Sequence, residues 1–177
     1  MREDGLGPSQ GVRPLIVTLE PDEASHRFFD TQRRAHFPPE RNVIAAHITL
    51  FHHLPGSERE AIRSELARAC RRDAFRMDVT GLRSLGRGVA YRVESRTADA
   101  LRAGLAAGWA AWLTPQDRQT PRLHVTIQNK VAPETARRLI EALEADFKPF
   151  SITAQALRLW SYEGGPWSHL DRFPFEA

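Results

Sequence analysis

Cysteine and lysine are almost absent from the 177-residue chain. The single cysteine, Cys70, excludes a disulfide within the chain, and its position on the apolar stripe of a predicted helix favours a place in the core. Only Lys130 and Lys148 are lysines among the 25 basic residues, so almost every basic side chain is an arginine. The planar guanidinium suits phosphate binding, and a net charge of +3 favours an anionic partner. Because an arginine bias also follows from genomic base composition, the charge supports this interpretation without deciding it.

Long apolar runs are lacking as well. No stretch approaches the ~20 residues that span a bilayer, and the polar N-terminal segment lacks the apolar core of a signal peptide. Apolar residues make up 41% of the chain and charged residues 27%, which is typical of a globular domain. We therefore expect a cytoplasmic protein that makes no membrane contact. Since nothing in the sequence indicates an obligate protein partner, we also expect a monomer.

The hydrophobic pattern predicts helices that alternate with a mixed set of strands. Residues 1–12 are expected to form a flexible leader, because they contain three glycines and a proline and show no periodicity. The predicted strands cover residues 14–20, 43–52, 75–85, 89–93, 122–131 and 151–162. The predicted helices cover residues 21–35, 57–70, 98–113 and 133–147. This order predicts an α+β fold with helices on one face of the strands, followed by an irregular tail.

A short motif, His-x-Thr followed by an apolar residue, occurs at residues 47–50 and again at 124–127. Each copy lies on a predicted strand that precedes an amphipathic helix. Because alternate residues of a strand share a face, the histidine and threonine of each copy lie on one side and its two apolar residues on the other. Packing the apolar sides under helices leaves the polar sides facing a groove. The repetition also indicates two related lobes within one domain, residues 13–177.

Two histidines and two hydroxyls suit the chemistry of ribose phosphates. Opening a cyclic phosphate needs one group that removes a proton from the attacking oxygen and another that protonates the departing oxygen, and His47 and His124 titrate in the right range to do both. Thr49 and Thr126 lie on the same faces and could donate hydrogen bonds to the phosphoryl oxygens. Although one such triplet in a chain with seven histidines is easily accidental, two copies favour catalysis. The scheme requires no metal and no cofactor, and no carboxylate cluster accompanies the histidines.

The paired motifs resemble the signature of the 2H phosphoesterase superfamily. Within it, HITLFHHLP and HVTIQNKV are most similar to the bacterial 2′-5′ RNA ligase family, and the resemblance covers about residues 13–175. It implies a bilobal α+β fold of two related, ferredoxin-like halves, with antiparallel sheets lining a central cleft and helices outside. It also implies metal- and ATP-independent chemistry on 2′,3′-cyclic phosphate ends or 2′-5′ linkages. By the same resemblance the two histidines are the acid–base pair and the two threonines bind phosphate.

One departure from the family pattern concerns the residues after the second motif. Ligase members tend to place an arginine there, whereas this chain has Gln128, Asn129 and Lys130. Lysine offers a point charge where arginine grips a phosphate with two hydrogen bonds. The substrate therefore stays open between RNA ends and a small cyclic nucleotide, such as a derivative of ADP-ribose.

Five further residues are candidate substrate contacts. Phe51 follows the first motif on the groove side, where it would stack on a base or, equally, pack in the core. Arg87 in a Gly-Arg-Gly turn and Tyr91 on the next strand would border the groove, although a solvated turn is the plainer interpretation. Lys130 shares the predicted face of the second motif and would contact phosphate. Trp160 on the last strand would form a stacking wall, unless it belongs to the core.

Two other functions remain open at this stage. Three histidines within seven residues, His47, His52 and His53, suggest a metal-dependent hydrolase, but strand alternation turns His52 away from the other two and favours exposed or structural rings. The other alternative is a non-catalytic module that binds RNA ends or nucleotides in the same cleft.

Overall fold

The computed structural model describes residues 12–176. The predicted leader, residues 1–12, therefore lies outside the described residues except for its last one. The strands are β1 (Leu15–Pro21), β2 (Ile48–Leu54), β3 (Phe75–Ser84), β4 (Val89–Glu94), β5 (His124–Gln128), β6 (Phe150–Tyr162) and β7 (Trp167–Pro174). The helices are α1 (Glu23–His36), α2 (Arg59–Ala69), α3 (Arg96–Gly108), α4 (Pro115–Arg118) and α5 (Pro133–Asp146). The predicted α+β class is confirmed.

All seven strands join one antiparallel sheet in the order β2-β1-β6-β3-β4-β5, with β7 also paired to β6. Strand β6 is 13 residues long, which lets it pair with three strands. It pairs with β1 along one edge, while β3 and β7 divide its other edge between them. The two predicted halves therefore share a continuous sheet, and the motif strands β2 and β5 stand at its two ends.

The core lies between one face of this sheet and the helices. The register places Val17 of β1 beside Leu159 of β6, and Leu19 beside Leu157, so their side chains point to the same face. All four are almost fully buried. Helix residues such as Phe29 close over them, and they belong to one apolar cluster that also includes Cys70, as predicted. The opposite face of the sheet is left for polar side chains.

The alternation of β2 breaks directly after the first motif. Thr49 pairs with Thr18 of β1, but Phe51 pairs with the next β1 residue towards the N-terminus, Val17, so Leu50 is an extra residue that forms a β-bulge. The bulge turns Phe51 towards the core. Beyond it the register shifts once more, and both of the following histidines are exposed.

Of the two places that the sequence leaves open for Phe51, the structure has the core and not the groove. Its side chain has no exposed surface, and its ring packs edge-to-face on Trp109 at a centroid distance of 5.0 Å. The guanidinium of Arg102 lies 4.5 Å from the ring centroid. A side chain enclosed in this way does not stack on a nucleobase.

The outer edge of β2 is covered by two buried charged residues. The carboxylate of Asp117 in α4 accepts the backbone N–H groups of His52 and His53, both at 2.9 Å. Arg102 of α3 donates to the Leu50 carbonyl at 3.3 Å and also to the backbone carbonyl of Asp117. Because an edge strand otherwise leaves backbone groups unpaired, these contacts close the sheet on this side.

Three differences from the predicted elements concern segments without an apolar alternation. Strand β7 falls in the tail that was predicted to be irregular; its sequence shows no apolar alternation, and it is held by backbone pairing with β6. Strand β2 begins at Ile48, so residues 43–47 precede it as a loop. Strand β5 ends at Gln128, shortly before Lys130 adopts a positive φ of 61° that an extended strand does not tolerate. No helix within residues 12–176 is long and apolar enough to cross a membrane.

The edge contacts of Asp117 predict a large effect on stability. Asp117→Ala is expected to lower the free energy of unfolding by about 2–4 kcal/mol, because two enclosed N–H groups lose their acceptor. Denaturant titration at neutral pH measures the change. Glu141→Ala, on the exposed side of α5, is the control and should change it by less than about 0.5 kcal/mol.

The stability difference between wild type and Asp117→Ala should also depend on pH. Burial raises the pKa of Asp117. Hydrogen bonds from the His52 ring and from the two backbone N–H groups lower it by more than burial raises it, so the pKa lies below its usual value. A lowered carboxyl pKa stabilises the fold at neutral pH, and this contribution is lost as the pH falls through the lowered pKa. The difference between wild type and Asp117→Ala should therefore shrink in acid. Equal stability of the two proteins at neutral pH would contradict the assignment.

Candidate active site

The two motif histidines lie on the two end strands of the sheet. His47 directly precedes β2 and His124 begins β5. Although these strands stand at opposite ends of the strand order, Cα atoms of the two come within 8 Å of each other. The sheet must therefore be strongly curved, and its curvature brings the two motifs together.

Both imidazole rings are held by the same kind of hydrogen bond. Nδ1 of His47 lies 2.8 Å from the carbonyl oxygen of Ala45, and Nδ1 of His124 lies 2.8 Å from that of Arg122. A carbonyl oxygen only accepts, so Nδ1 carries the proton in each ring and Nε2 is left with a free lone pair in the neutral form. Each ring is thus fixed by the residue two positions before it. The rings share one tautomer and present the same nitrogen.

The pKa of His47 is strongly displaced. Burial lowers it to about 4, while the hydrogen bond to the Ala45 carbonyl acts in the opposite direction. The neighbouring groups whose positive charge lowers it further are Arg33, His124 and His52. His47 is therefore neutral at physiological pH in the free protein, and its surroundings include the ring of the second motif.

The pKa of His124 is lowered by the same causes. Burial has the largest effect, the Arg122 carbonyl opposes it, and the positive charges of Arg83 and His52 add to the decrease. Arg83 Nη1 lies 3.3 Å from His124 Nδ1, but both atoms carry protons and both face the Arg122 carbonyl oxygen, so the two side chains share one acceptor. His52 acts on both motif rings, which places a third imidazole nearby. The ring of His52 is itself held by Asp117 at 3.1 Å.

The motif threonines begin matching rows of side chains across the sheet. Cross-strand partners point to the same face, so the register aligns three residues from neighbouring strands in each half. The rows are Thr49, Thr18 and Arg158 in one half, and Thr126, Ala90 and Arg83 in the other. In both, a motif threonine is followed by a small residue and then by an arginine. The internal repeat therefore extends beyond the two motifs.

Side chains of helix α1 form hydrogen bonds with the loop that precedes His47. The carboxylate of Asp30 accepts the backbone N–H of Ala46 at 2.6 Å, and Nε2 of His26 donates to the Ala46 carbonyl at 3.1 Å. One turn further along the helix, Arg33 donates to Asn42 Oδ1 at 3.0 Å. These contacts fix the backbone from which the ring of the first motif projects.

The same arginine reaches the second motif. Nη1 of Arg33 donates to the carbonyl oxygen of Thr126 at 2.8 Å, on the free edge of β5. The guanidinium is 4% exposed and stacks over the ring of Phe37 at 4.4 Å. Arg33 therefore links the loop before the first motif to the backbone of the second. Sequence reasoning missed it, although its spacing from His26 and Asp30 puts all three on one side of the helix.

A cavity of about 520 Å³ opens beside His47. Its wall includes Trp160, which donates from Nε1 to the hydroxyl of Thr18 at 2.9 Å, so the structure places this predicted contact next to the motif histidine. Trp167 of β7 stands between them, 4.7 Å from the His47 ring and 6.1 Å from the Trp160 ring. Sequence reasoning missed Trp167 because the strand that carries it was not predicted.

An ion-pair cluster forms another part of this wall. The carboxylate of Glu20 accepts from Arg172 at 2.9 Å and also from Arg158. Burial raises the pKa of Glu20, but the hydrogen bonds and charges of the two arginines bring it below its usual value. The carboxylate therefore offsets part of the positive charge on this side of the groove.

Three of the predicted contacts lie away from the motif histidines. Tyr91 is only 4% exposed; its ring packs among Phe28, Phe29 and Phe150 on the helical side of the sheet, and its hydroxyl donates to Gln32 at 3.3 Å. The prediction for Tyr91 is therefore wrong, since an enclosed ring does not meet substrate.

Arg87 and Lys130 lie at the far end of β5. The turn that contains Arg87 is bound to Val131 through its backbone and through Nε, at 3.1 Å in each case. The nearby Gln128 is four residues, or roughly 13 Å of strand, from His124. Lys130 is exposed beyond the end of the strand. The structure does not bring either cation to the second motif.

His47, His52 and His53 do not form a metal site in the part of the chain that the structure describes. Among residues 12–176 no three or more histidine, cysteine, aspartate or glutamate side chains are placed to hold one ion. His52 instead bonds to Asp117, and His53 is exposed.

Comparison with known proteins assigns the family. The sequence profile of the 2′-5′ RNA ligase superfamily matches residues 21–166, which is most of the chain. The fold is that of LigT-like 2H phosphoesterases. The chain belongs to the 2′-5′ RNA ligase superfamily. No curated protein sequence gives a significant match.

Solved structures with the same fold cover nearly the whole chain. E. coli LigT complexed with 3′-AMP is 18% identical, with a TM-score of 0.63 over 93% of this chain and 99% of LigT. TT0787 of Thermus thermophilus is also 18% identical, with a TM-score of 0.62 over 92% and 97% of the two chains. Usb1 of Kluyveromyces marxianus is 16% identical, with a TM-score of 0.50 over 93% and 99%. At these identities the likeness concerns the fold.

The displaced pKa of His47 can be measured directly. In NMR titrations its ring resonances should follow a pKa near 4 in the free protein. Saturating inorganic phosphate should raise this pKa, because a nearby anion stabilises the imidazolium. His47→Gln identifies the resonance by its loss. A pKa near 6.5 that does not respond to phosphate would show that the ring is not enclosed in an anion-binding groove.

Proposed function

We propose that the protein cleaves or forms 2′,3′-cyclic phosphate and 2′-5′ phosphodiester linkages in RNA or small nucleotides, without metal or ATP. His47 and His124 are the acid and the base. The observation that carries this proposal is the matched pair of Nδ1–carbonyl hydrogen bonds, which leaves Nε2 of each ring free on strands that meet. Two prealigned nitrogens on either side of one phosphate are what in-line proton transfer requires.

Hydrolysis of a cyclic phosphate then proceeds in one displacement. Nε2 of one neutral imidazole takes a proton from water, and the water oxygen forms a bond to phosphorus. The bond from phosphorus to one ribose oxygen breaks, and the other ring, protonated, gives its Nε2 proton to that oxygen. If a 5′-hydroxyl replaces water, the same step joins two RNA ends. In the reverse direction the two histidines exchange roles.

Substrate charge supplies the protonated ring. The pKa of both histidines is below its usual value in the free protein, so both rings are neutral near pH 7. A bound phosphodiester brings a negative charge that favours the imidazolium. The ring that acts as the acid is therefore protonated only when a substrate is bound. Thr49 and Thr126 donate their hydroxyls to the non-bridging oxygens, where charge develops.

The class of substrate is supported by the fold relatives. Structures of E. coli LigT hold 3′-AMP, NADP⁺, ATP and phosphate. All of these carry phosphate groups, and all but phosphate itself are nucleotides. In this chain the cavity beside His47, with its two indole rings, offers a place for a base or a ribose. A binding module without catalysis would use the same contacts, so turnover decides between the two functions.

Loss of either motif histidine should abolish turnover while leaving the fold intact. His47→Ala and His124→Ala are each expected to reduce kcat on a 2′,3′-cyclic nucleotide by at least ~100-fold, because each removes one proton transfer. The assay contains chelator and no ATP, and product is followed by chromatography. His53→Ala, an exposed ring beside the first motif, is the matched control and should retain activity.

Three results would contradict the proposal in different ways. A folded His124→Ala protein with full activity would remove the acid–base assignment. Inactivation by chelator would favour a metal-dependent hydrolase. Binding of 3′-AMP by the wild type without any turnover would favour the non-catalytic module.

A further inference from the structure

A second cavity, of about 400 Å³, lies in the half of the molecule that carries the second motif. Its wall is formed by β3, β4, the start of α3 and residues 121–123, which directly precede the second motif. Arg83 in this wall has Nη1 3.3 Å from Nδ1 of His124. Arg83 therefore connects this cavity to the ring of His124.

Three arginines line this cavity: Arg83, Arg92 and Arg122. Arg83 donates to the Arg122 carbonyl and Arg92 to the Leu82 carbonyl, both at 3.3 Å. Carbonyl oxygens orient a guanidinium without neutralising its charge. Within residues 12–176, none of the three arginines has a carboxylate oxygen within 4.0 Å, although Glu94 and Asp99 also line the cavity.

The contrast with the other half of the molecule is informative. Arg158 occupies the position in its row that Arg83 occupies in the second row, and it is paired with Glu20. The corresponding charge beside His124 has no such partner among the described residues. A guanidinium that is not paired with a carboxylate keeps its charge available to an anion, and planar guanidinium groups bind phosphate oxygens in pairs.

We propose that this cavity is a second phosphate subsite, and that the preferred substrate carries another phosphate next to the one that reacts between the histidines. The proposal rests on the proposed function and adds to it the class of substrate. The second phosphate comes either from the backbone of an oligonucleotide that ends in a 2′,3′-cyclic phosphate or from the pyrophosphate of a small nucleotide. A mononucleotide cyclic phosphate leaves the cavity empty and is a poorer substrate.

Equilibrium binding tests the subsite without turnover. Adenosine 3′,5′-bisphosphate and adenosine 3′-monophosphate differ by one phosphate, and the bisphosphate should bind the wild type at least ~10-fold more tightly, because the second phosphate gains the charge-assisted hydrogen bonds of the cavity. The double variant Arg92→Gln/Arg122→Gln should lose most of this difference. Both positions are exposed, so the fold should persist. Arg137→Gln/Arg138→Gln on the exposed face of α5 removes the same charge elsewhere and should retain the difference.

Turnover identifies the source of the second phosphate. The values of kcat/KM are compared for adenosine 2′,3′-cyclic phosphate, a diadenosine nucleotide that ends in the same cyclic phosphate, and a pyrophosphate-bearing cyclic phosphate. At least one of the last two should exceed the first by ~10-fold or more, and the Arg92→Gln/Arg122→Gln variant should reduce this ratio. The wild-type ratio should also fall with added salt.

The outcomes separate this proposal from the proposed function. Equal affinity of the wild type for the bisphosphate and the monophosphate overturns the second subsite, whatever the activity. An affinity difference that the α5 control variant removes as fully as the cavity variant also overturns it, because overall charge would then explain the effect. An affinity difference that depends on the cavity, without turnover of any substrate, supports the subsite and contradicts the proposed function.

Discussion

The geometry of the site depends on the buried guanidinium of Arg33. It donates to Asn42, in the loop that leads to the first motif, and to the carbonyl of Thr126 within the second. The two motifs stand at opposite ends of one sheet, and this side chain links the loop before the first to the backbone of the second, through hydrogen bonds to Asn42 Oδ1 at 3.0 Å and to the Thr126 carbonyl at 2.8 Å. Burial lowers the pKa of Arg33 from its usual value, and the charge of Asp30 opposes that decrease. A buried cation is costly unless it is hydrogen-bonded, so the arrangement is favourable only when both motif segments are in place.

The surroundings of the two motif histidines are similar in geometry and differ in charge. In each, a backbone carbonyl two residues before the motif histidine fixes its tautomer, and a row of threonine, small residue and arginine crosses the sheet. Beside His47 the arginines are paired with Glu20 and two indoles line the cavity. Beside His124 the arginines have only carbonyl partners among the described residues. One side thus suits an uncharged part of a nucleotide and the other an anionic part.

Local periodicity was sufficient to predict much of this fold. The repeated motif predicted paired strands with one polar and one apolar side, and Thr49 and Ile48 follow that alternation. It could not decide between the groove and the core for Phe51, because the bulge at Leu50 is set by pairing with β1, which no local pattern contains. It failed for Tyr91 because nothing in a strand's alternation tells which of its two faces meets the helices.

The remainder of the site arises from contacts between distant segments. Trp167 was missed because β7 is held by backbone pairing with β6 and has no apolar alternation of its own. Arg33 reaches Thr126, 93 residues further along the chain, and Asp117 reaches back 65 residues to His52. Such polar side chains resemble ordinary solvated residues in the sequence, and only the folded chain shows what they bind.

The most direct test of the claim that the two motif histidines act on one phosphate is a crystal structure of the protein with bound phosphate. The ion should lie within hydrogen-bond distance of Nε2 of both His47 and His124, accepting from the protonated ring and donating a P–OH proton to the neutral one, while the two Nδ1 atoms stay on the Ala45 and Arg122 carbonyls. A phosphate bound elsewhere, with the two Nε2 atoms facing apart, would contradict the account.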